Sequence, residues 1–173
     1  SAERDALLSQ AYMELGELGK AEQIVDAWES VDDWGNYARY NLGVALVKAN
    51  RVNEAAAYLD AVGTIKASSE EMLALRDRAN LALGFVWLRQ EDGAQAKVAL
   101  ERIRLAGPFS NSALLGYGWA EAAQGNYRGA LVPWLELRDR KAIDPAFQES
   151  VLAIPYAYRQ LGANQQAVES YTA

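Results

Sequence analysis

Apolar residues along this chain recur at helical spacing. Leu42, Ala45, Leu46 and Ala49 follow the i, i+3, i+4, i+7 pattern of a buried helical face, and Ala55, Leu59 and Val62 form a second stripe after a break near Asn50-Arg51. This helix–turn–helix pattern repeats. Five times, a bulky residue beside a small one is followed twelve residues later by alanine, counted from the small member. The pairs are Leu8-Ser9, Leu42-Gly43, Leu83-Gly84, Tyr117-Gly118 and Ile154-Pro155, and the alanines are Ala21, Ala55, Ala96, Ala130 and Ala167. Four residues after each alanine stands a large apolar residue: Val25, Leu59, Leu100, Trp134 and Tyr171. Small residues let two helix axes approach while the large one fills the space beside them, which is why the offsets stay fixed. Self-similarity at this period predicts a solenoid of stacked helical pairs.

Successive alanines lie 34 (Ala21 to Ala55), 41 (Ala55 to Ala96), 34 (Ala96 to Ala130) and 37 residues (Ala130 to Ala167) apart. With Tyr12, Leu46, Trp87 and Tyr158 three residues after the pair, Pro108 ending the third unit, and Tyr40-Asn41-Leu42-Gly43 and Gly125-Asn126-Tyr127, the chain resembles the tetratricopeptide repeat family, whose unit is a 34-residue helix–turn–helix. It departs from the family where Asp5, Arg39, Asn80, Leu114 and Val151 fill the early tryptophan slot and Glu121 replaces the fourth aromatic. The expected fold is all-α: a right-handed α-solenoid of about five helix-turn-helix repeats and about ten helices, a single array over residues 1–173. Its units fall at about 4–32, 35–63, 69–108, 110–141 and 145–173.

Local signals refine these units. Gly19 is expected to separate the helices of the first, Asn50-Arg51 those of the second and Gly125-Asn126 those of the fourth. The seven extra residues in the 41-residue interval predict a helix from Ser69 to about Gln90, longer than its counterparts by about two turns, with Ser68 and Glu71 as a capping box. Gly107-Pro108 stops the third unit; Asp144 caps and Pro145 starts the fifth. Pro133 and Pro155 fall inside helices and are expected to bend them.

Composition narrows the function. The 173 residues are 51% hydrophobic and contain neither cysteine nor histidine. A nucleophile activated by histidine cannot be built, and the usual zinc sites lack their ligands, so neither metal nor cofactor is expected. A net charge of −6 opposes binding to nucleic acid and to anionic lipid. Arg102 and Arg104, and Arg138, Arg140 and Lys141, stand near helix C-termini, where cations complement the helix dipole. No apolar run is long enough to span a bilayer. The chain opens inside its first helix and stops inside a repeat, which reads as a piece of a longer, bacterial protein; periplasmic, cell-envelope and cytoplasmic locations all fit.

The resemblance implies that the first helices line a concave groove, with slots two residues before the pair, immediately after it and three further on. These hold Ala6, Gln10 and Met13, then Tyr40, Val44 and Val47, then Leu81, Phe85 and Leu88 beside Arg89. Leu115, Trp119 and Ala122, then Leu152, Tyr156 and Arg159, complete the set. Some family members clamp a peptide carboxylate with lysine and asparagine here, whereas these slots are mostly apolar. The expected function is therefore a non-catalytic scaffold binding a protein or peptide through apolar side chains, Trp119 among them. Stacking through uncapped ends into a homo-oligomer is the alternative, and a hydrolase using acids such as Glu121 a remote one.

Overall fold

The computed structural model describes residues 1–30, 32–140 and 145–162. Among these it holds nine helices and no strand: α1 (Ala2–Glu14), α2 (Leu18–Asp26), α3 (Asp33–Lys48), α4 (Val52–Gly63), α5 (Glu70–Arg89), α6 (Gly93–Glu101), α7 (Ser110–Ala123), α8 (Tyr127–Asp139) and α9 (Pro145–Gln160). The tenth expected helix, with Ala167, Val168 and Tyr171, lies outside the described residues, as do Lys141 and Asp144. The chain forms two compact units, Ser1–Val86 and Trp87–Ala173.

Each unit has its own apolar core. In the first, Ala21, Val25, Ala38, Leu42, Leu46 and Ala55 form one cluster, and Val62, Met72, Leu75 and Ala79 another. In the second, Ala130, Trp134, Leu137, Ala153 and Ile154 are central. The periodic positions explain these cores directly. A Cβ built on Gly43 would stand 2.8 Å from Leu59, and one on Gly118 2.1 Å from the indole of Trp134. In these two repeats the small member of the pair is thus the seat of the large residue four positions beyond the repeat's alanine. Leu42, Leu83 and Ile154 are buried as the pattern requires, whereas Leu8 is exposed and Tyr117 is half-buried with its hydroxyl donating to Glu101 at 3.0 Å.

A second periodicity appears in the backbone. Gly16, Asn50, Glu91, Gly125 and Gly162 all have positive φ, between 59° and 77°, and each lies seven residues after the small member of its pair. Four of the turns close with the same bond: the amides of Glu17, Arg51, Asp92 and Asn126 donate to the carbonyls of Tyr12, Leu46, Trp87 and Glu121 at 2.8–2.9 Å. This is the six-to-one bond of a Schellman motif. The first turn is therefore at Gly16, and Gly19 lies inside α2, because the left-handed residue rather than the glycine nearest the repeat centre ends the helix.

The long helix is present: α5 has 20 residues against 13, 16 and 14 for α1, α3 and α7. Its cap is one residue later than expected. The Ser69 hydroxyl accepts from the Met72 amide at 3.2 Å, while Glu71 accepts the Tyr37 hydroxyl at 2.7 Å instead of closing a capping box. Pro133 and Pro155 are both buried inside helices that continue through them.

Candidate functional site

In the first unit the slots of repeats one and two converge. Ala6, Gln10 and Met13 of α1 face Tyr40, Asn41, Val44 and Lys48 of α3 around an open cavity of about 610 Å³. Trp34 and Tyr37 extend its wall toward the start of α3, and Leu7 borders it from α1. These three were missed by the slot rule. Continuing the α3 stripe backwards from Asn41 at three- and four-residue steps reaches both aromatics, so the signal was present. Trp34 keeps 46% of its surface exposed, an unusual position for an indole without a covering partner.

Tyr40 is held from both sides. Its ring packs against the cluster of Val62, Met72, Leu75 and Ala79, and the Arg78 guanidinium carbon lies 5.9 Å from the ring centre. Burial pushes the Tyr40 phenol above its ordinary pKa, with Arg78 opposing. Tyr37 is also raised, first by its hydrogen bond to Glu71. Both phenols therefore remain neutral donors at physiological pH. Val47 packs against the α2–α3–α4 core, and Leu81 and Phe85 of α5 are half-buried.

In the second unit Leu88 is half-buried and Arg89 exposed. Leu115 is not a wall residue: it is buried, and its carbonyl accepts the Trp134 indole N–H at 3.0 Å. Trp119 is half-buried within an aromatic group. It meets Trp134 edge-on with ring centres 4.8 Å apart, lies 5.9 Å from Tyr156, and donates to Glu149 at 3.2 Å. Tyr156 contacts Tyr127 at 6.0 Å and is raised in pKa, first by burial and then by its bond to Tyr127. Such edge-to-face pairs stabilise beyond the area they bury. Trp119 thus supports the core as well as the surface, so removing it would perturb both. Arg159 at the end of α9 is exposed.

Glu121 is only 4% exposed, in the slot that is aromatic elsewhere. One carboxylate oxygen meets Lys97 Nζ at 2.6 Å and the other accepts the Asn126 side-chain amide. The hydrogen bond Lys97 donates to Glu121 raises the Lys97 pKa, with Tyr117 adding to it. A buried carboxylate needs such partners, and here they are a lysine and the asparagine that caps α8 through the Gly129 amide at 3.0 Å. No group of three or more acidic residues able to hold a metal occurs among the described residues. No helix among those residues is long and apolar enough to cross a membrane.

No family model matches the sequence, and no curated protein matches it. Solved structures do. A Podosopora anserina protein assigned as a kinesin light chain, with nearly identical TPR-like repeats, superimposes with a TM-score of 0.65 at 17% identity, over 98% of this chain and 91% of that one. MamA from Desulfovibrio magneticus RS-1 gives a TM-score of 0.70 at 20% identity, over 99% of this chain and 91% of that one. Nine helices among the described residues, the periodic left-handed turns and these superpositions together give the chain the all-α, tetratricopeptide-like repeat fold.

Proposed function

We propose that this protein is a non-catalytic scaffold that binds a partner polypeptide through the apolar and aromatic face of its first helices. One observation carries the reading: stripes from two successive repeats meet around a single open cavity large enough for several side chains, with Tyr40, Val44 and Trp34 on its wall. Pockets of a few hundred Å³ lined by aromatic side chains and a few polar groups suit recognition of an extended or helical peptide. Gln10, Asn41 and Lys48 supply the polar contacts. Within the first unit Leu81 and Phe85 on α5 are further candidates for partner contact; in the second unit, taken by itself, Leu88, Arg89, Trp119, Tyr156 and Arg159 are the candidates. The absence of histidine and cysteine, and the engagement of Glu121 by Lys97 and Asn126, support a non-catalytic role. The acidic balance supports a protein rather than a nucleic acid as partner.

The test is selection of peptides from a displayed random library, followed by affinity measurement against variants. Val44→Asp and Tyr40→Ala should each weaken a selected peptide by about tenfold or more, with helicity by circular dichroism retained. Val98→Ser, on α6 and outside both cavities, serves as the control and should leave affinity unchanged. Peptides that bind all variants equally would refute the assignment. Concentration-dependent sedimentation that these variants abolish would instead mark the face as a contact between copies.

A further inference from the structure

The second unit holds another open cavity, of about 540 Å³, built from different helix faces. On α7 its wall is Ala113, Leu114, Tyr117 and Glu121, a stripe separate from Leu115 and Trp119. Its apolar part includes Leu105 and Val132, which remain 67% and 69% exposed, above the buried Pro133. Two large apolar side chains so exposed beside a concavity have no role in the core of this unit.

The polar groups around this cavity are asymmetric in charge. Its lining contains three carboxylates, from Glu101, Glu121 and Glu136, and one cation, Lys97. Lys97 is held by Glu121 at 2.6 Å. The nearby Arg140 is held by Glu136 at 3.0 Å and Asn111 at 2.9 Å. Both cations are therefore committed within the protein, and they match the charges of Glu121 and Glu136. Glu101 is exposed and accepts the Tyr117 hydroxyl at 3.0 Å, a neutral donor that leaves its charge uncompensated. The cavity thus presents apolar surface beside one carboxylate, Glu101, whose charge no cation matches.

We propose that this cavity docks a basic amphipathic segment of a partner protein, one apolar side chain resting on Leu105 and Val132 while lysine or arginine from the same segment meets Glu101. The unmatched charge of Glu101 selects this occupant. An acidic segment would meet it with repulsion, and an uncharged one would leave it unmatched. The site is independent of the α1–α3 cavity, because the two share no residue.

The experiment uses the full chain and two short fluorescent amphipathic peptides, one of leucine and lysine and one of leucine and glutamate, read by anisotropy. The Leu/Lys peptide should bind saturably and the Leu/Glu peptide should not. Glu101→Gln and Val132→Ser should each weaken the Leu/Lys peptide by at least about fivefold, with unchanged helicity. Added salt should reduce the effect of Glu101→Gln more than that of Val132→Ser. Tyr40→Ala should leave binding as in the wild type. Equal binding of both peptides, or undiminished Leu/Lys binding by both Glu101→Gln and Val132→Ser, would overturn the proposal. Loss of Leu/Lys binding in Tyr40→Ala would do so too, by assigning the peptide to the other cavity.

Discussion

Glutamate at position 91 does what glycine or asparagine does in the other four turns. Its φ of 59° places a side chain in the left-handed region, which costs an ordinary L-residue about 1–2 kcal/mol. The turn survives because the backbone bond from Asp92 to the Trp87 carbonyl, at 2.9 Å, is the same as in its neighbours. Glu91→Gly should therefore stabilise the protein by about 1 kcal/mol in urea unfolding, relief of strain outweighing the added freedom of the unfolded chain. Gly125→Ala should do the reverse, by about 1 kcal/mol or more, although an added Cβ meets nothing within 4 Å. A steric account from packing alone predicts no effect there, so the pair of variants separates backbone strain from crowding.

At the scale of the helix, α5 shows how far sequence reasoning reaches. Its excess length followed from the 41-residue interval, and both ends came within a residue of their observed positions. The capping residue did not, because Ser68 and Ser69 are equivalent locally and Glu71 was assigned to the wrong partner. Tertiary structure settles it, since Tyr37 of α3 takes the Glu71 carboxylate. Ser69→Ala should cost about 1 kcal/mol of stability and Ser68→Ala almost nothing, measured by thermal unfolding. The candidate site divides in the same way. Tyr40 and Val44 were legible because they obey the stripe. Leu115 and Trp119 obey it too, yet their surroundings are set by Trp134, whose bulk draws Leu115 into the core and Trp119 against its edge. No spacing rule reports how large the residue on the facing helix will be.

For the whole molecule, separate apolar cores in the two units determine where damage spreads. Trp134 is fully buried on the seat left by Gly118, and Trp134→Ala should lower stability by about 3–5 kcal/mol. Hydrogen exchange should show the loss of protection first in α7, α8 and α9, which share that core. Gly118→Ala should resemble it despite adding rather than removing atoms, because the indole has nowhere to move. The five left-handed turns have a wider consequence. Since main-chain atoms close four of these corners, the side chain whose carbonyl accepts the closing bond is free to drift, from tyrosine to leucine, tryptophan or glutamate. Neutral change can therefore repack the inside of a repeat while its corner is inherited intact, which explains how superposition stays close where letter-by-letter likeness has nearly vanished.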